Sequence, residues 1–475
     1  MWNQKGPLSS RFRQAGHHTG LQTGPISVNS FRESEVSVSA VFGARMPRIV
    51  YLTAGAGGMY CGSCLNDNAM AKALPQFGWD TQLVPCYTPI RTDETDTSID
   101  QVFFGGINVW LQQQVPLFRW LPAFADRFLD NPKLIRRVTS SSVQTSPKFL
   151  GQMARSMLQG VHGRQRKEVR RLVDWLSREA KPDVVVISNI LIAAFVDEMK
   201  RKLNCPVVVM LQGDDVFLEM LSASDREACL TEIRRIAQGV DRFVTHSEAY
   251  RGYIANYLGI DIGNIDVAPL GLDTADYESL GDRVERESGL TIGYLARLAP
   301  EKGLHRLVQA FIALKQSGSH DDLRLRIAGW LGPESEPYAQ QQWQLLEQAG
   351  LKDHFEYLGV VNRQQKLDFL RNIDILSVPT VQREPKGLFV LESMAAGTPV
   401  VLPDHGAFPE IILETGGGTL FSNADSKEFV FRLNEMLTGH DQRKRIGRIA
   451  REFVLQNRTT RNAAQHLDTI LRKLI

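Results

Sequence analysis

The sequence lacks the features that would place the chain across a membrane, in an oxidising compartment or on a nucleic acid. Its apolar runs, of which 190–196 is among the longest, fall well short of the ~18 residues that a transmembrane helix needs. Five cysteines are an odd number without framework spacing, which indicates free thiols in a reducing compartment. A formal net charge of +2 argues against nucleic acid as the main ligand.

The signatures of two common ligand sites are also missing. The segment Cys61-Gly62-Ser63-Cys64 has no second cysteine pair, so it does not predict a zinc site, and we interpret it as two incidental thiols. The glycine-rich loop at 54–62 carries Tyr60 where a dinucleotide fingerprint requires glycine. An NAD site is therefore not expected.

The 475 residues divide into a short irregular start and a long globular remainder. Hydrophobic residues make up 43% and charged residues 23%, which is ordinary for a soluble enzyme of two or three domains. Residues 1–45 show no helical or strand period and lack the apolar core of a secretory signal peptide. They are expected to be a disordered tail, or an upstream addition to a chain that starts at Met46.

From Arg48 onward, apolar strand runs alternate with helical patterns. The first such runs lie at 48–53, 183–188, 206–211 and 242–245, and the alternation resumes at 290. This rhythm is typical of doubly wound parallel sheets. We predict an N-terminal domain over 46–275, a linker over 276–289, a second domain over 290–455 and a last helix over 456–475.

The most informative stretch runs from 384 to 401, E-P-K-G-L-F-V-L-E-S-M-A-A-G-T-P-V-V. Glu384 stands in a loop after the apolar run 373–378, which predicts a strand. Gly387 precedes a helix pattern, and glycine there lets an anion approach the N–H groups of the helix start. Glu392 lies in a helix that is apolar nearly all round, where a carboxylate without a partner costs several kcal/mol. It therefore requires a hydroxyl or a cation, from the protein or from a ligand such as a nucleotide sugar.

The spacing Glu384-x₇-Glu392, followed by A-A-G-T-P-V-V, resembles the signature of the large retaining glycosyltransferase family with the GT-B fold, the family 4 type of group 1. The resemblance implies two Rossmann-like, doubly wound parallel-sheet domains that face each other across a cleft, with the last helix returning to the first domain. It implies that Glu384 faces the transferred sugar and that Glu392 binds the ribose hydroxyls. The main chain of Gly387, Leu388 and Phe389 is implied to hold the distal phosphate.

A second motif, Arg297-Leu-Ala-Pro-Glu-Lys302-Gly303, resembles the diphosphate clamp of the same family, Arg-x₄-Lys-Gly. Two cations suit this role because a nucleoside diphosphate gains negative charge as it leaves. Arginine can grip phosphate through two bonds, and lysine acts as a point charge. The resemblance implies Arg297, Lys302 and Glu384 as the catalytic residues, and Val360 as a neighbour of the nucleobase.

The resemblance is looser in the N-terminal domain. It places Gly57 and Gly58 in the loop under the cleft, near the donor phosphates. Gln212, Asp214 and Asp215 follow a strand at the carboxyl edge of the sheet, where such sheets bind ligands, and are the acceptor-side candidates. Many family members carry His where this chain has Gln212, so the role of that His is not transferred. The two aspartates could equally be turn residues.

The expected function is transfer of a sugar, with retention, from a UDP-, GDP- or ADP-linked donor to an acceptor hydroxyl of a glycan, lipid or small molecule. The alternatives are a sugar-nucleotide epimerase on the same fold and a non-catalytic nucleotide-sugar-binding subunit. The two motifs together disfavour the epimerase, and a binding subunit would normally have lost one of their four charged residues. No cofactor or metal is expected, since Arg297, Lys302 and the helix start supply positive charge and no Asp-x-Asp stands in a metal-binding context.

The acceptor stays open at this stage. Aromatic residues between 110 and 128 are interpreted mainly as core, with contact to a lipid-linked acceptor or a membrane face as the alternative. The expected location is the cytoplasm, with a peripheral position at a membrane left open. No nucleic-acid partner and no transmembrane segment are expected.

Overall fold

The computed structural model describes residues 45–55, 62–99, 102–103, 147–281 and 289–475. The predicted donor-site glycines Gly57 and Gly58 lie outside the described residues, as do Cys61, the aromatic stretch 110–128 and the predicted tail up to residue 44. Within the described part of the chain, the β-strands form two parallel sheets of six strands each.

The first sheet is built from short, deeply buried strands. It contains β1 (Arg48–Thr53), β2 (Asp80–Pro85), β3 (Val184–Ile187), β4 (Val207–Met210), β5 (Arg242–Thr245) and β6 (Ile265–Val267), in the order β2-β1-β3-β4-β5-β6. β3 reads Val-Val-Val-Ile and β4 reads Val-Val-Val-Met, and every residue of both is buried. Such uniformly apolar strands are typical of parallel sheets covered by helices on both faces, because neither face meets water.

Helices cover this first sheet. They are α1 (Gly62–Ala73), α2 (Pro147–Leu158), α3 (Arg166–Trp175), α4 (Val196–Lys202), α5 (Asp214–Glu219), α6 (Ala223–Ala237) and α7 (Glu248–Leu258). A short helix, α8 (Ala275–Glu278), follows β6, and its buried Tyr277 belongs to an apolar cluster made mostly by the second domain.

The second sheet, the helices around it and one last helix that belongs to the first sheet occupy the rest of the chain. The strands are β7 (Thr291–Leu295), β8 (Arg324–Ala328), β9 (Phe355–Tyr357), β10 (Ile375–Leu376), β11 (Val400–Pro403) and β12 (Gly418–Phe421). The helices are α9 (Leu304–Gln316), α10 (Glu336–Gln348), α11 (Arg363–Arg371), α12 (Leu388–Ala395), α13 (Phe408–Thr415), α14 (Ser426–Thr438), α15 (His440–Asn457) and α16 (Thr460–Leu471).

The topology of the second sheet creates a crevice between two neighbouring strands. Its order is β12-β11-β10-β7-β8-β9, so the chain builds outward from β7 to β9 and then returns to β10 on the other side of β7. The loops after β7 and β10 both leave the sheet at this switch point, which is where doubly wound sheets bind ligands. The predicted fold class, two Rossmann-like doubly wound domains, is confirmed.

One strand is shorter than its sequence predicts. The apolar run 373–378 suggested a six-residue strand, yet only Ile375–Leu376 pairs as β10. Polar side chains at its ends take backbone partners of neighbouring strands. Asp374 Oδ2 accepts from Thr291 N–H at 2.7 Å, and Ser377 Oγ donates to the Val401 carbonyl at 2.7 Å. The backbone N–H groups of Asp374 and Ser377 also donate to the carbonyls of Thr291 and Gly293 in β7, at 2.7 and 2.9 Å, so bonding to β7 continues on both sides of the two-residue strand.

The last helix, α16, packs against the first sheet although it follows the second domain in sequence. Its buried Leu467 belongs to the same apolar cluster as Tyr51 of β1. Trp79 donates its indole N–H to Asp468 Oδ1 at 2.6 Å. The C-terminal helix is therefore an integral part of the first domain.

A separate question is whether any helix could cross a bilayer. Among the helices of the described residues, none combines the length and the apolar character that a membrane span requires.

Candidate active site

Two charged loops meet at the switch point of the second sheet. Lys302 follows β7 and Glu384 follows β10, and Lys302 Nζ donates to Glu384 Oε2 at 2.7 Å. Glu384 is only 6% exposed. Burial alone would raise the pKa of Glu384, but the Lys302 ammonium and the Gly387 N–H outweigh burial and the pKa is lowered. Glu384 is therefore an ionised carboxylate near neutral pH, held against a cation.

The close approach of these two loops depends on Gly303. Its φ is +75°, and a Cβ atom added there would lie 1.9 Å from the carbonyl oxygen of Pro379. The Val381 N–H also donates to the Glu301 carbonyl at 2.9 Å. Only glycine combines the left-handed backbone with such a contact. The glycine of the motif thus fixes the position of the lysine before it.

Glu392, in the buried helix α12, binds a cation of the protein. Lys366 Nζ of α11 donates to Glu392 Oε1 at 2.5 Å and to Asp93 Oδ2 at 2.6 Å. The three side chains are 10% exposed or less. Asp93 belongs to the first domain, so this ion cluster joins the two domains. The sequence required a partner for Glu392, and the structure identifies it as Lys366.

The remaining predicted donor-site residues follow strands β7, β9 and β10, at the carboxyl edge of the second sheet. The Arg297 guanidinium, about a third exposed, forms an ion pair with Glu301, four residues later in the loop after β7. Gly387 directly precedes α12 as its N-cap, with φ of +69°, and its N–H donates to Glu384 Oε1 at 3.2 Å. Val360 is 40% exposed in the loop after β9. Leu388 and Phe389 are the half-buried first residues of α12.

The first sheet presents a group of polar residues, the polar cluster, at its carboxyl edge. Its members are Thr53 at the end of β1, Ser188 after β3, Gln212 after β4, His246 after β5 and Asp67 of α1. Asp67 accepts from Thr53 Oγ1 at 2.7 Å, from Ser188 Oγ at 2.5 Å and from Gln212 Nε2 at 3.0 Å. Burial raises the pKa of Asp67, although these hydrogen bonds oppose it. The sequence-predicted Gln212 is therefore held in one orientation by a buried carboxyl group.

The other two acceptor-side candidates are engaged inside the first domain. Asp214 Oδ1 accepts from Ile190 N–H at 2.9 Å, and its Oδ2 accepts from Gln212 N–H at 3.0 Å. Asp215 accepts from the Tyr250 hydroxyl at 2.5 Å. Burial raises the pKa of Asp214 to about 7. Asp214 thus holds the segments after β3 and β4 together, and Asp215 binds α7, whereas Gln212 belongs to the polar cluster.

Lys386, two residues after Glu384, crosses from the second domain into the polar cluster. Its Nζ donates to Gln212 Oε1 at 3.0 Å and to Ser63 Oγ at 2.7 Å. A Cβ atom at Gly62 would lie 3.7 Å from the Lys386 Cε, so the stem of the lysine packs on the start of α1. Lys386 is not among the residues predicted from the sequence. Its place in the sequence, between the motif residues Glu384 and Glu392, was the feature that could have pointed to it.

Replacing His246 by Gln is expected to flatten the dependence of stability on pH. Burial, followed by the charge of Lys386, lowers the pKa of His246 to about 4, whereas an unfolded histidine titrates near ~6.5. Between these values only the unfolded chain binds the proton, so the free energy of unfolding falls as the pH drops through this window. Urea unfolding at several pH values measures the effect. His466→Gln, at an exposed position of α16, should behave like the wild type; an unchanged pH dependence in the His246 variant would contradict the burial argument.

Within the described ranges, no group of three or more His, Cys, Asp or Glu side chains is arranged to hold a metal ion.

Two family models match consecutive parts of the chain. The model described as Glycosyl transferase 4-like domain matches residues 68–271, and the one described as Glycosyl transferases group 1 matches residues 279–453. The chain is 27% identical over 223 residues to D-inositol 3-phosphate glycosyltransferase of Paenarthrobacter aurescens (strain TC1), covering 46% of this chain and 54% of that protein. The chain thus spans about half the length of such curated relatives.

Solved structures are similar to this chain over most of its length. Sucrose-phosphate synthase from Thermosynechococcus elongatus is 15% identical with a TM-score of 0.64, covering 90% of this chain and 99% of that chain. The Anabaena protein HepE, in complex with UDP and glucose, is 16% identical with a TM-score of 0.62, covering 90% of this chain and 100% of that chain. The two family matches fall on the two doubly wound domains, and both charged motifs meet at the switch point of the second. The chain therefore belongs to the group 1 glycosyl transferase family and has the GT-B fold.

Proposed function

We propose that the chain transfers a sugar from a nucleotide sugar to an acceptor hydroxyl with retention of the anomeric configuration. The observation that carries this proposal is the pair of Lys302 and Glu384, whose charged atoms lie 2.7 Å apart. The pair stands at the switch point of the second sheet, beside the start of α12. A cation, an ionised carboxylate and a helix N-terminus are thereby gathered where a doubly wound sheet binds its ligand.

Arg297 and Lys302 are proposed to hold the diphosphate of the donor. Negative charge grows on this group as the bond to the sugar breaks, and fixed cations stabilise it most in the transition state. Each cation already pairs with a carboxylate, Glu301 or Glu384, which holds it at the crevice. Because side chains supply the positive charge, the proposal needs no metal. The glycines Gly57 and Gly58 remain proposed neighbours of the phosphates from the sequence alone.

Glu384 is proposed to face the transferred sugar. Glycosyl transfer passes through a transition state with positive charge at the anomeric carbon, and a nearby carboxylate stabilises that charge. The Gly387 N–H and Lys302 bind one oxygen each of the Glu384 carboxylate. These two bonds keep the group ionised and fixed in orientation.

Glu392 is proposed to bind the ribose hydroxyls of the donor. Lys366 binds its Oε1 at 2.5 Å, which compensates the buried charge. Ribose hydroxyls are then expected at the other carboxylate oxygen, Oε2. Val360 is proposed to neighbour the base, and Gln212 the acceptor side.

A nucleoside diphosphate is expected to raise the melting temperature, and one base should do so most. UDP, GDP and ADP are the probes, with UDP of first interest because HepE has been solved with UDP-glucose. Stabilisation grows as RT ln(1 + [L]/Kd), about 2.7 kcal/mol at a hundredfold excess over Kd. EDTA should change neither the shift nor sugar transfer.

Three outcomes count against parts of this proposal. A chain that none of the three nucleotides stabilises would contradict donor binding. A strict requirement for a divalent metal would contradict the roles of Arg297 and Lys302. Release of the free sugar epimer without any acceptor would contradict transfer.

A further inference from the structure

The side-chain amide of Gln212 is oriented by the first domain. Gln212 is only 7% exposed. Its Nε2 donates one hydrogen to Asp67 Oδ1 and the other to the Ser188 carbonyl, both at 3.0 Å. A turned amide would place its oxygen against a carboxylate and a carbonyl, neither of which can donate a hydrogen bond. The nitrogen therefore faces the first domain, and both of its hydrogens are used there.

The amide oxygen of Gln212 faces the second domain. Lys386 Nζ donates to this oxygen at 3.0 Å. The contacts of the same oxygen with Asn66 Nδ2 and His246 Nε2 are longer, at 3.5 and 3.4 Å. A bond from an ammonium to an amide oxygen is stronger than one between neutral groups. Gln212 thus holds a lysine that comes from the other domain.

Lys386 belongs to the short segment that carries Glu384. Pro385, between these two residues, also packs on the first domain, since a Cβ atom at Gly213 would lie 3.3 Å from the Pro385 ring. Gly387, the residue after Lys386, donates its N–H to Glu384 Oε1 at 3.2 Å. A displacement of Lys386 would therefore move the N–H group that orients the Glu384 carboxylate, because the two residues are adjacent in the chain.

We propose that Gln212 is a positioning residue, which aligns the Glu384 carboxylate with the sugar by holding Lys386. The inference rests on the proposed function, which brings a sugar to Glu384. The role of Gln212 is then indirect. It stands on the acceptor side, but its amide acts on segment 384–387 of the second domain. One neutral amide, oriented by Asp67, thereby lets the first domain set the position of a carboxylate in the second.

Gln212→Met should loosen segment 384–387 although the change lies in the first domain. Methionine is similar in size to glutamine, but it offers the ammonium no amide oxygen. Hydrogen exchange of the full chain, measured by mass spectrometry on peptides that cover 384–391, reports how often this segment opens. We expect exchange there to become about tenfold faster or more, the usual effect of losing one bond to a charged group. The measurement needs no ligand.

Two further variants show whether the effect passes through Lys386. Thr53→Val is the matched control, because it also removes a donor from Asp67 but lies at the end of β1. Exchange over 384–391 should stay at the wild-type rate in this control. In a Lys386→Met background, Gln212→Met should have no additional effect, since the bond that it removes is already lost. The bond of Lys386 to Ser63 is absent from both members of that comparison.

The same variants separate positioning from acceptor binding in the proposed reaction. Hydrolysis of UDP-, GDP- or ADP-glucose, in which water takes the sugar, gives kcat without an acceptor. Gln212→Met should lower this kcat by about tenfold to a hundredfold, the cost of a small misplacement of a reacting group, and should leave the Kd of the nucleoside diphosphate unchanged. If Gln212 only bound the acceptor, hydrolysis would proceed at the wild-type rate.

The outcomes distinguish this inference from the function it rests on. If either the exchange over 384–391 or kcat is the same in Gln212→Met as in Thr53→Val, Gln212 does not position Glu384, and donor binding stands. Effects of Gln212→Met and Lys386→Met that simply add would also show that Gln212 does not act through Lys386. If UDP, GDP and ADP all fail to bind, the proposed function fails, and the inference about Glu384 fails with it.

Discussion

Arg297→Ala is expected to lower kcat for sugar transfer by about a hundred- to a thousandfold, the usual cost of removing one donor that stabilises developing charge. The affinity for UDP should fall much less, because the leaving diphosphate carries its greatest charge in the transition state. The fold should survive the change. The Arg297 side chain is 34% exposed and pairs with Glu301 on the same short segment, and partly exposed pairs of this kind stabilise a protein little.

The chain provides a closely matched control. Arg432 is 35% exposed and pairs with Glu428, also four residues away, on a helix outside the crevice. Arg432→Ala should leave kcat unchanged. Before the acceptor is known, turnover is measured as hydrolysis of the donor, in which water takes the sugar and the nucleoside diphosphate is released; melting temperatures report the fold. Equal kcat values in the two variants would remove Arg297 from the proposed diphosphate clamp.

The fold and the family followed from local patterns in the sequence. Uniformly apolar runs such as Val184–Ile187 predict parallel strands buried on both faces, and the structure has such strands in both sheets. The motifs around Glu384 and Lys302 are continuous in sequence, and the family models confirm the resemblance drawn from them. Short-range information was sufficient because each strand, turn and helix of a doubly wound unit is formed by neighbouring residues.

The ion pairs across the crevice could not be predicted in the same way. Lys366 meets Asp93, which lies 273 positions away in the chain, and only the docking of the two domains brings them together. For the lysine of this pair, the sequence does contain a sign of burial. Lys366 stands three and four residues before the buried Phe369 and Leu370, and it therefore lies on the apolar face of α11. That spacing predicts a buried lysine. It does not predict which carboxylates compensate its charge.

Lys366→Met is expected to lower the free energy of unfolding by about 3–5 kcal/mol, the cost of breaking a buried ion pair from one side. Burial disfavours the charge of Lys366, but the carboxylates of Glu392 and Asp93 outweigh burial and raise its pKa. Without the lysine, two buried carboxylates from different domains would face each other uncompensated. The loss should therefore weaken the contact between the domains as well as the site proposed for ribose.

A second variant and a surface control separate the effect of charge on stability from the effect of packing. The triple change Asp93→Leu, Lys366→Met and Glu392→Leu removes the same hydrogen bonds without leaving a charge, and replacing buried ion clusters by apolar residues is often neutral. Lys202→Met breaks a pair with Asp174 whose side chains are 38% and 43% exposed, so it should cost less than ~1 kcal/mol. Urea unfolding, followed by both tryptophan fluorescence and circular dichroism, gives the values. If Lys366→Met loses stability and the triple variant recovers it, the loss is due to uncompensated charge. If Lys366→Met is as stable as Lys202→Met, the ion cluster does not stabilise the fold.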